Sequence, residues 1–287
     1  MKYWFMNQYC SLHGVQRMCR VIGASRSGYY GWRRRQESKR QKDNEKILME
    51  IKESHKNSHR AYGSPRITLD LQANGTKCSE NRVARLMKVH GIIAKAKKKF
   101  KATTSSKHNL PVADNLLNQD FAAEKPNMVW VSDITYIATL KGWLYLTVIL
   151  DLYSRQVVGW AMSDRLTAGF VIKALNQAIG RRNPVRGCIF HSDRGVQYAS
   201  ADFRDVLNSH GFIQSMSRKG NCYDNAVAES FFHTLKIEHV YDYRYETRAE
   251  AIQSVFEYIE MFYNRKRRHS AIGYRSPVSF ELDAMAA

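Results

Sequence analysis

The pattern of hydrophobic and polar positions changes its character near residue 121. Before it, apolar residues recur at intervals of three and four, which is the spacing of one helix face. After it, short runs of β-branched and aromatic residues separate stretches that keep the helical spacing. The pattern therefore predicts an all-helical front part and a back part built on a sheet.

Residues 14–35 predict a helix, a tight turn and a second helix. Gly23 is placed to end the first helix, and Ser25 to cap the second. The apolar face of the first helix would consist of Val15, Met18, Val21 and Ile22. In the second helix, aromatic residues precede Arg33 and Arg34, which suggests a contact surface for phosphates. A small hairpin with these aromatics as its core is the alternative.

Residues 43–93 predict three helices more clearly. The first covers about 43–55, and Pro65 is suited to the first position of the second, which Asn74 and Gly75 end. Ser79 would cap a third helix, Glu80 to His90. Its buried face would hold Val83, Leu86 and Met87, and its outer face Arg82, Arg85 and Lys88. This is the pattern of a helix-turn-helix with a basic recognition helix, although basic helical hairpins also occur in proteins that never bind DNA.

Residues 94–120 show no periodicity and carry the basic run that includes Lys97, Lys98 and Lys99. We interpret this stretch as an extended linker that lies along a phosphate backbone. A linker that only aids solubility is the alternative.

The back part predicts the order β-β-β-α-β-α-β, followed by helices. The predicted strands are 128–137, 143–151, 156–162, 188–191 and 212–216, and the predicted helices between them are 168–181 and 201–210. This order predicts an α/β fold with a mixed sheet and flanking helices. A helix at 226–236 would be capped by Asp224 or Asn225, and a last helix would cover 249–263. Ser276 and Pro277 would then break the chain before a short tail.

The formal charge of +19 is concentrated in the front part. Residues 1–120 hold 25 Lys and Arg against 9 Asp and Glu, whereas residues 121–287 hold 20 against 17. A basic module joined to a nearly neutral one favours nucleic acid as the partner over a merely solvated basic surface.

Five cysteines without a CxxC pair do not form a disulfide pattern, which indicates a reducing compartment. Cys10, His13 and Cys19 lack a fourth zinc ligand, so buried thiols are the preferred interpretation. No apolar run approaches the ~20 residues of a membrane span, and the N-terminus lacks the features of a signal peptide. We expect a cytoplasmic protein in contact with chromosomal DNA, and no membrane partner.

Three acidic residues lie in apolar surroundings and are candidates for chemistry. Asp133 lies inside a predicted strand, Asp193 directly follows another, and Glu229 lies in an apolar helix. Charges in such positions are costly to bury unless they are paired or bind a cation. Oxygen ligands without a Cys/His cluster select Mg²⁺ or Mn²⁺. Two such ions about 4 Å apart would support in-line displacement at a phosphodiester.

Two other side chains compete for a role in this site. Asp151 follows the second predicted strand, and we prefer a turn acid paired with Arg155 over a metal ligand. His191 would shuttle a proton or, as is commoner for a histidine on a strand, donate a structural hydrogen bond.

Several strings, taken in order, are similar to the transposases of the IS3 family of bacterial insertion sequences. They are VWVSDITYI, LTVILDLYSRQVVGW, HSDRGVQYAS, GNCYDNAVAESFFHTLK and YNRKRRHSAIGYRSPVSF. Asp193 and Glu229, with 35 residues between them, resemble the D,D(35)E pattern that the family shares with retroviral integrases. Lys236, seven residues after the glutamate, matches the usual basic partner.

This resemblance implies an RNase H-like core with a five-stranded sheet, two Mg²⁺ ions, and strand transfer of element ends. Asp133, Asp193 and Glu229 would be the catalytic metal ligands, and Lys236 would contact DNA near them. The chain lacks the leucine-zipper heptads that the family usually encodes in a first reading frame. It therefore resembles the second-frame product, acting alone or fused to an upstream-frame partner.

The combined prediction is a DNA transposase with four segments. They are a helical segment (1–40), a helix-turn-helix domain (41–95), a basic linker (96–120) and a catalytic core with a basic C-terminal part (121–287). Expected DNA contacts include Arg267 and Arg268 in the last basic cluster, besides the residues above. Joining two element ends implies at least a dimer on double-stranded DNA. A metal nuclease without strand transfer and a catalytically idle DNA-binding regulator are the competing functions.

Overall fold

The front part of the molecule consists of six helices. The structure is a computed structural model that describes residues 1–36, 38–95 and 110–286. The helices are α1 (Lys2–Tyr9), α2 (Val15–Ile22), α3 (Arg26–Arg34), α4 (Lys39–Asn57), α5 (Ser64–Ala73) and α6 (Glu80–Val89). Both predicted helical arrangements are therefore present, and α4 is longer at both ends than its predicted range.

The predicted helix ends rest on the expected local chemistry. Gly23 has a left-handed φ of 62° after α2, a conformation that glycine adopts without a steric penalty. Ser25 and Ser79 cap α3 and α6 by accepting from backbone N–H groups three residues later. One prediction is wrong, because Val21 points to solvent with 80% of its surface exposed. Packing of a helix this short buries only a narrow part of the apolar face.

Each of the two helical groups has its own small core. Met6, Met18, Cys19 and Tyr29 are buried together among α1, α2 and α3. The second core, from α4 to α6, holds Ile47, Ile51, Tyr62, Ile67, Leu71, Val83, Leu86 and Met87. Cys19 is thus a buried thiol, as preferred over zinc binding.

The back part contains a five-stranded mixed sheet, which confirms the predicted fold class. The strands are β1 (Val129–Thr139), β2 (Gly142–Asp151), β3 (Val157–Ser163), β4 (Ile189–Ser192) and β5 (Ile213–Met216). Their spatial order is β3-β2-β1-β4-β5. The first three form an antiparallel meander, and β4 and β5 add in parallel beside β1.

Six helices cover the two faces of the sheet. They are α7 (Ala168–Arg182), α8 (Val196–Ala199), α9 (Ala201–Ser209), α10 (Ala226–Glu238), α11 (Arg248–Phe256) and α12 (Pro277–Ala286). Helices α7 to α9 share one core with the sheet, while α10 and α11 share the other. The predicted last helix widens after α11 into a π-helical stretch, Glu257–Tyr263.

The predicted break at Pro277 is wrong. Pro277 opens α12 rather than ending the ordered chain, since a proline at the start of a helix loses no hydrogen bond. Glu281 of this helix is buried and forms an ion pair with Arg182 at 2.7 Å. The ion pair thereby fixes the tail to the C-terminal end of α7.

The helical part packs against the core. Arg268 donates from its backbone N–H to the Tyr62 hydroxyl at 2.7 Å and pairs with Asp70 through its guanidinium. The His59 ring lies edge-on against Phe262, with ring centres 4.6 Å apart. Over the described ranges, no helix combines the length and apolar character that crossing a bilayer requires.

Candidate active site

The strand register brings Asp133 and Asp193 side by side. Strands β1 and β4 are parallel, with Val131 opposite His191. Two residues further along each strand lie Asp133, still within β1, and Asp193, just past the carboxyl end of β4. Neighbouring strands lie about 4.8 Å apart, so the two acids leave the sheet at adjacent positions.

Helix α10 brings Glu229 to the same place. The Asn225 side-chain amide, at the start of α10, donates to the Ser132 carbonyl oxygen at 3.1 Å. Ser132 directly precedes Asp133, and Glu229 lies one helical turn after Asn225. Phe231 and Leu235 hold the helix in the core below.

The predicted cap of α10 is wrong in its detail. Asn225 occupies the N-cap position, but its side chain makes no capping bond because its amide is used on Ser132. Asp224 is buried and accepts from the Arg218 guanidinium and from Gln119. Those hydrogen bonds from Arg218 hold the pKa of Asp224 well below its usual range. The loop before α10 is therefore closed by an ion pair.

The three acids influence one another's ionisation. Burial raises the pKa of Asp133 well above its ordinary value, and the charges of Asp193 and Glu229 raise it further. Burial, followed by Asp193, also raises the pKa of Glu229. All three side chains are half-buried. The three predicted acids thus contribute to one region of negative charge, in which Asp193 acts on both Asp133 and Glu229.

Backbone N–H groups orient the two aspartates. Ile134 donates to Asp133 Oδ1 at 2.8 Å, and Gly195 donates to Asp193 Oδ1 at 2.9 Å. A Cβ atom at Gly195 would stand only 2.9 Å from that same carboxylate oxygen. Glycine at this position lets the loop fold closely around Asp193.

Lys236 lies beside the acids, but it is buried. Only 6% of its surface is exposed, and its Nζ stands over the Tyr136 ring, 4.9 Å from the ring centre. Burial lowers the pKa of Lys236 to about 8, while Asp133 raises it. Lys236 is thus largely buried in this conformation, beside an exposed tyrosine, and its contact to DNA stays a prediction.

Tyr198 supports the site from below, a role that no sequence pattern indicated. Its buried hydroxyl lies 2.8 Å from Ser132 Oγ and 3.3 Å from Thr147 Oγ1. Burial, then Asp133 and Asp193, raise the pKa of this phenol well above its ordinary value. Sequence alone gives no signal for such a contact, since Tyr198 lies 66 residues from Ser132.

Asp151 and His191 have structural roles. Asp151 is fully buried and accepts from the backbone of Asn127 and Tyr153. Its charged neighbour is Arg182 at 3.5 Å, so the predicted pairing with the Arg155 side chain is wrong. His191 lies between the Ser215 and Ser217 hydroxyls, and burial lowers its pKa to about 4.

The basic residues predicted to contact DNA divide into three groups. The exposed ones are Arg33, Arg34, Arg85 and Lys88, and their DNA contacts stay a prediction. Lys97, Lys98 and Lys99 lie outside the described residues. Besides Lys236, the remaining three make internal contacts: Arg82 donates to Asn44, Arg267 to Glu238, and Arg268 to Asp70. With 5% of its surface exposed, Arg267 in particular is not available to DNA in this conformation.

The donor set of the site fits a hard divalent cation. It offers only carboxylate oxygens, the ligands that Mg²⁺ and Mn²⁺ prefer. Neighbouring acids raise the pKa values of Asp133 and Glu229, which indicates negative charge that a cation would neutralise. Within the described ranges, no three His, Cys, Asp or Glu side chains already stand close enough together to hold an ion. The fit therefore rests on charge and donor chemistry.

Comparison with protein families defines the class of protein. The integrase core domain matches residues 123–222, a second integrase core model matches 229–284, and an HTH-like domain matches 42–100. The chain is a polynucleotidyl transferase of the integrase-core class with an HTH-like domain in front.

Curated relatives narrow this class to one family. The chain is 44% identical to the transposase InsF for insertion sequence IS3A of Escherichia coli K12, over 100% of both chains. It is 50% identical to an uncharacterized 31 kDa protein of insertion element IS600 from Shigella sonnei, over 92% of this chain and 97% of the relative. A solved catalytic core domain of BIV integrase aligns with 56% of this chain and 97% of its own, at 20% identity and a TM-score of 0.42. The chain belongs to the IS3 family of insertion-sequence transposases.

Proposed function

We propose that this transposase nicks the ends of its insertion sequence and joins the freed 3′-hydroxyl to target DNA, using two divalent metal ions. The observation that supports the proposal is that Asp193 and Glu229 both act electrostatically on Asp133, which lies beside the carboxyl end of β4. A competing regulator without catalysis has no need for three half-buried acids that destabilise one another.

The three acids would act as the metal ligands. Asp133 and Asp193 lie on neighbouring strands, and Glu229 approaches from the helix above them. When bound, divalent ions would activate the attacking hydroxyl and stabilise the leaving oxygen of the phosphodiester. The protein itself contributes orientation, because backbone N–H groups fix both aspartates and Asn225 fixes the start of α10.

DNA binding would use the helical part. Arg85 and Lys88 are exposed on α6, and Arg33 and Arg34 on α3, where they are free to approach phosphates. We propose that residues 41–95 form the DNA-binding domain, that 96–120 link it to the core, and that 1–40 form a separate helical segment. Since two ends must be joined, the active species on nucleoid DNA in the cytoplasm would be at least a dimer, alone or with an upstream-frame partner.

The test is an assay of nicking and joining on DNA with the element's terminal inverted repeats. Asp193→Asn should abolish both products in Mg²⁺, since a neutral amide is a poor ligand for a hard cation. Asp205→Asn, at an exposed position of α9, is the matched control and should keep wild-type activity. Products that are cut but never joined would identify a nuclease. Equal activity of wild type and Asp193→Asn would refute the proposal.

A further inference from the structure

A second concave site lies between the helical part and the core, on a different face of α10 from the acids. The cavity has a volume of about 410 Å³. Helix α10 contributes Ser230 and Thr234 to its wall, whereas Glu229 and Lys236 do not line it. This volume falls within the range of about 300 to 1,000 Å³ that small-molecule sites occupy.

The wall of the cavity carries an excess of positive charge. Its ionised side chains are Arg66, Lys95, Arg155, Arg267 and Glu238. The single acid, Glu238, accepts two hydrogen bonds from Arg267, at 2.8 and 2.7 Å. Lys95 pairs with Asp242, outside the cavity wall. Arg267 and Lys95 are therefore paired with carboxylates, and Arg66 and Arg155 are the two other cations of the wall.

Arg66 and Arg155 have no carboxylate within ion-pair distance among the residues that the structure describes. Arg66 stands over the Tyr62 ring, 5.3 Å from its centre, and Arg155 donates to the Phe121 carbonyl oxygen at 3.3 Å. Both side chains are half-buried, and burial lowers the pKa of each. Glu238 acts on Arg66 and Asp151 on Arg155 only at longer range, so two partly desolvated guanidinium groups form no direct ion pair in the described residues.

These guanidinium groups converge on one point of the cavity. Burial lowers the pKa of His269 far below its usual value, and Arg267, Arg66 and Arg155, in that order, lower it further. His269 also lines the cavity and accepts from the Arg267 guanidinium at 3.1 Å. Arg267 thus contacts the imidazole directly, and Arg66 and Arg155, from other parts of the sequence, act on it electrostatically.

The backbone of Arg155 adds an independent observation. Arg155 has a φ of 63° in the turn between β2 and β3, in the left-handed region that favours glycine. A residue with a side chain is disfavoured there. From this turn the Arg155 side chain reaches both the Phe121 carbonyl oxygen and the cavity wall.

From this arrangement we propose that the cavity binds a phosphate-bearing anion. Arg66 and Arg155 would supply the charge-assisted hydrogen bonds, since a guanidinium matches the geometry of phosphate oxygens. The Ser230 and Thr234 hydroxyls lie in the same wall as further donors. The ligand is either a free phosphate compound or a phosphodiester of the DNA backbone. The site involves none of the three acids, so it stands or falls separately from the catalytic proposal.

The test is calorimetric titration of the full chain with inorganic phosphate. Wild type should show one saturable site, and Arg66→Gln and Arg155→Gln should each weaken it about tenfold or more, the loss expected for one charged hydrogen bond. Arg165→Gln removes an exposed arginine outside the cavity and should leave the affinity unchanged. Ser230→Glu changes an exposed helix position, so the variant should fold. It should also weaken phosphate binding, because it places a carboxylate near the arginines.

Competition with a short DNA duplex identifies the source of the phosphate. Displacement of inorganic phosphate by the duplex supports a backbone phosphodiester, and coexistence of the two supports a free phosphate compound. The absence of saturable phosphate binding to wild type would overturn the proposal. Wild-type affinity in folded Arg66→Gln, Arg155→Gln and Ser230→Glu proteins would overturn it equally.

Discussion

Asp193→Asn should make the metal-free protein more stable while it removes the chemistry. The change replaces one oxygen of the carboxylate by an amide nitrogen and keeps the Oδ1 atom that accepts from Gly195. The local fold of the loop is therefore retained. What disappears is the repulsion that Asp193 exerts on Asp133 and Glu229, which raises the pKa of both.

The size of this effect follows from the register of the sheet. Asp133 lies in β1 and Asp193 directly follows the neighbouring β4, and we take the spacing of paired strands, about 4.8 Å, as the separation of their charges. Two unit charges at that separation repel by about 3 kcal/mol at an effective dielectric constant near 20. Both side chains are only half-buried, and solvent screening reduces the gain to about 1 to 2 kcal/mol. For a domain of this size that corresponds to a rise in Tm of about 2 to 8 °C.

The effect should depend on pH with a definite sign. Asp133 has a folded-state pKa above its unfolded value, so over the interval between the two the folded protein binds more protons. Stability of the wild type therefore falls as the pH rises through that interval. Below an unfolded pKa of about 3.9 both states are protonated and the penalty vanishes. The advantage of Asp193→Asn should accordingly be present at pH 7 and shrink towards pH 4.

Thermal and urea unfolding in EDTA, repeated with Mg²⁺, measure both parts of this prediction. Mg²⁺ should raise the Tm of the wild type, because binding to the folded state alone stabilises it, and should raise that of Asp193→Asn far less. Asp205→Asn serves as the control and should match the wild type in both conditions. A metal-free Asp193→Asn protein that is less stable than the wild type at pH 7 would refute the proposed repulsion.

Three further substitutions test the supports of the site and fold. Asn225→Ala removes the buried hydrogen bond to Ser132, so we expect a loss of about 1 to 3 kcal/mol in urea unfolding and reduced strand transfer. Gly159→Ala should cost about 1 to 3 kcal/mol or more, because a methyl group on β3 would overlap α7; a wild-type urea midpoint would contradict this. Glu238→Gln leaves buried Arg267 without its ion pair and should lower the free energy of unfolding by about 3 to 5 kcal/mol, measured against the wild type at pH 7.

The elements that carry the three acids could be predicted from the sequence, because local pattern and topology define them. Each acid could be assigned to a strand end or a helix from its immediate neighbours. Once β1 and β4 are parallel neighbours, register alone brings Asp133 beside Asp193. The approach of Glu229 then depends only on which face of α10 is apolar, and Phe231 and Leu235 mark that face.

The partners of charged side chains could be predicted less well from the sequence, for a physical reason. A buried or half-buried cation takes its partner from wherever the fold brings an acceptor close. Arg267 pairs with Glu238, 29 residues away, and Arg268 pairs with Asp70, 198 residues away. No periodicity links such positions, so a basic cluster in sequence looks the same whether it faces solvent, DNA or the interior. Asp151 illustrates the same limit, because the nearby Arg155 was the obvious partner and the distant Arg182 is the actual one.

The net charge of a segment therefore predicts the class of partner, here nucleic acid, better than it predicts which side chains contact that partner. The front part is strongly basic, yet Arg82 on α6 donates to Asn44, while Arg85 and Lys88 of the same helix remain exposed. A phosphate-binding surface requires cations that are solvated and without internal acceptors, and only the folded structure separates these from the rest. Arg66 and Arg155 differ from such solvated cations, since they are half-buried, form no ion pair with a carboxylate in the described residues and line a cavity large enough for a ligand.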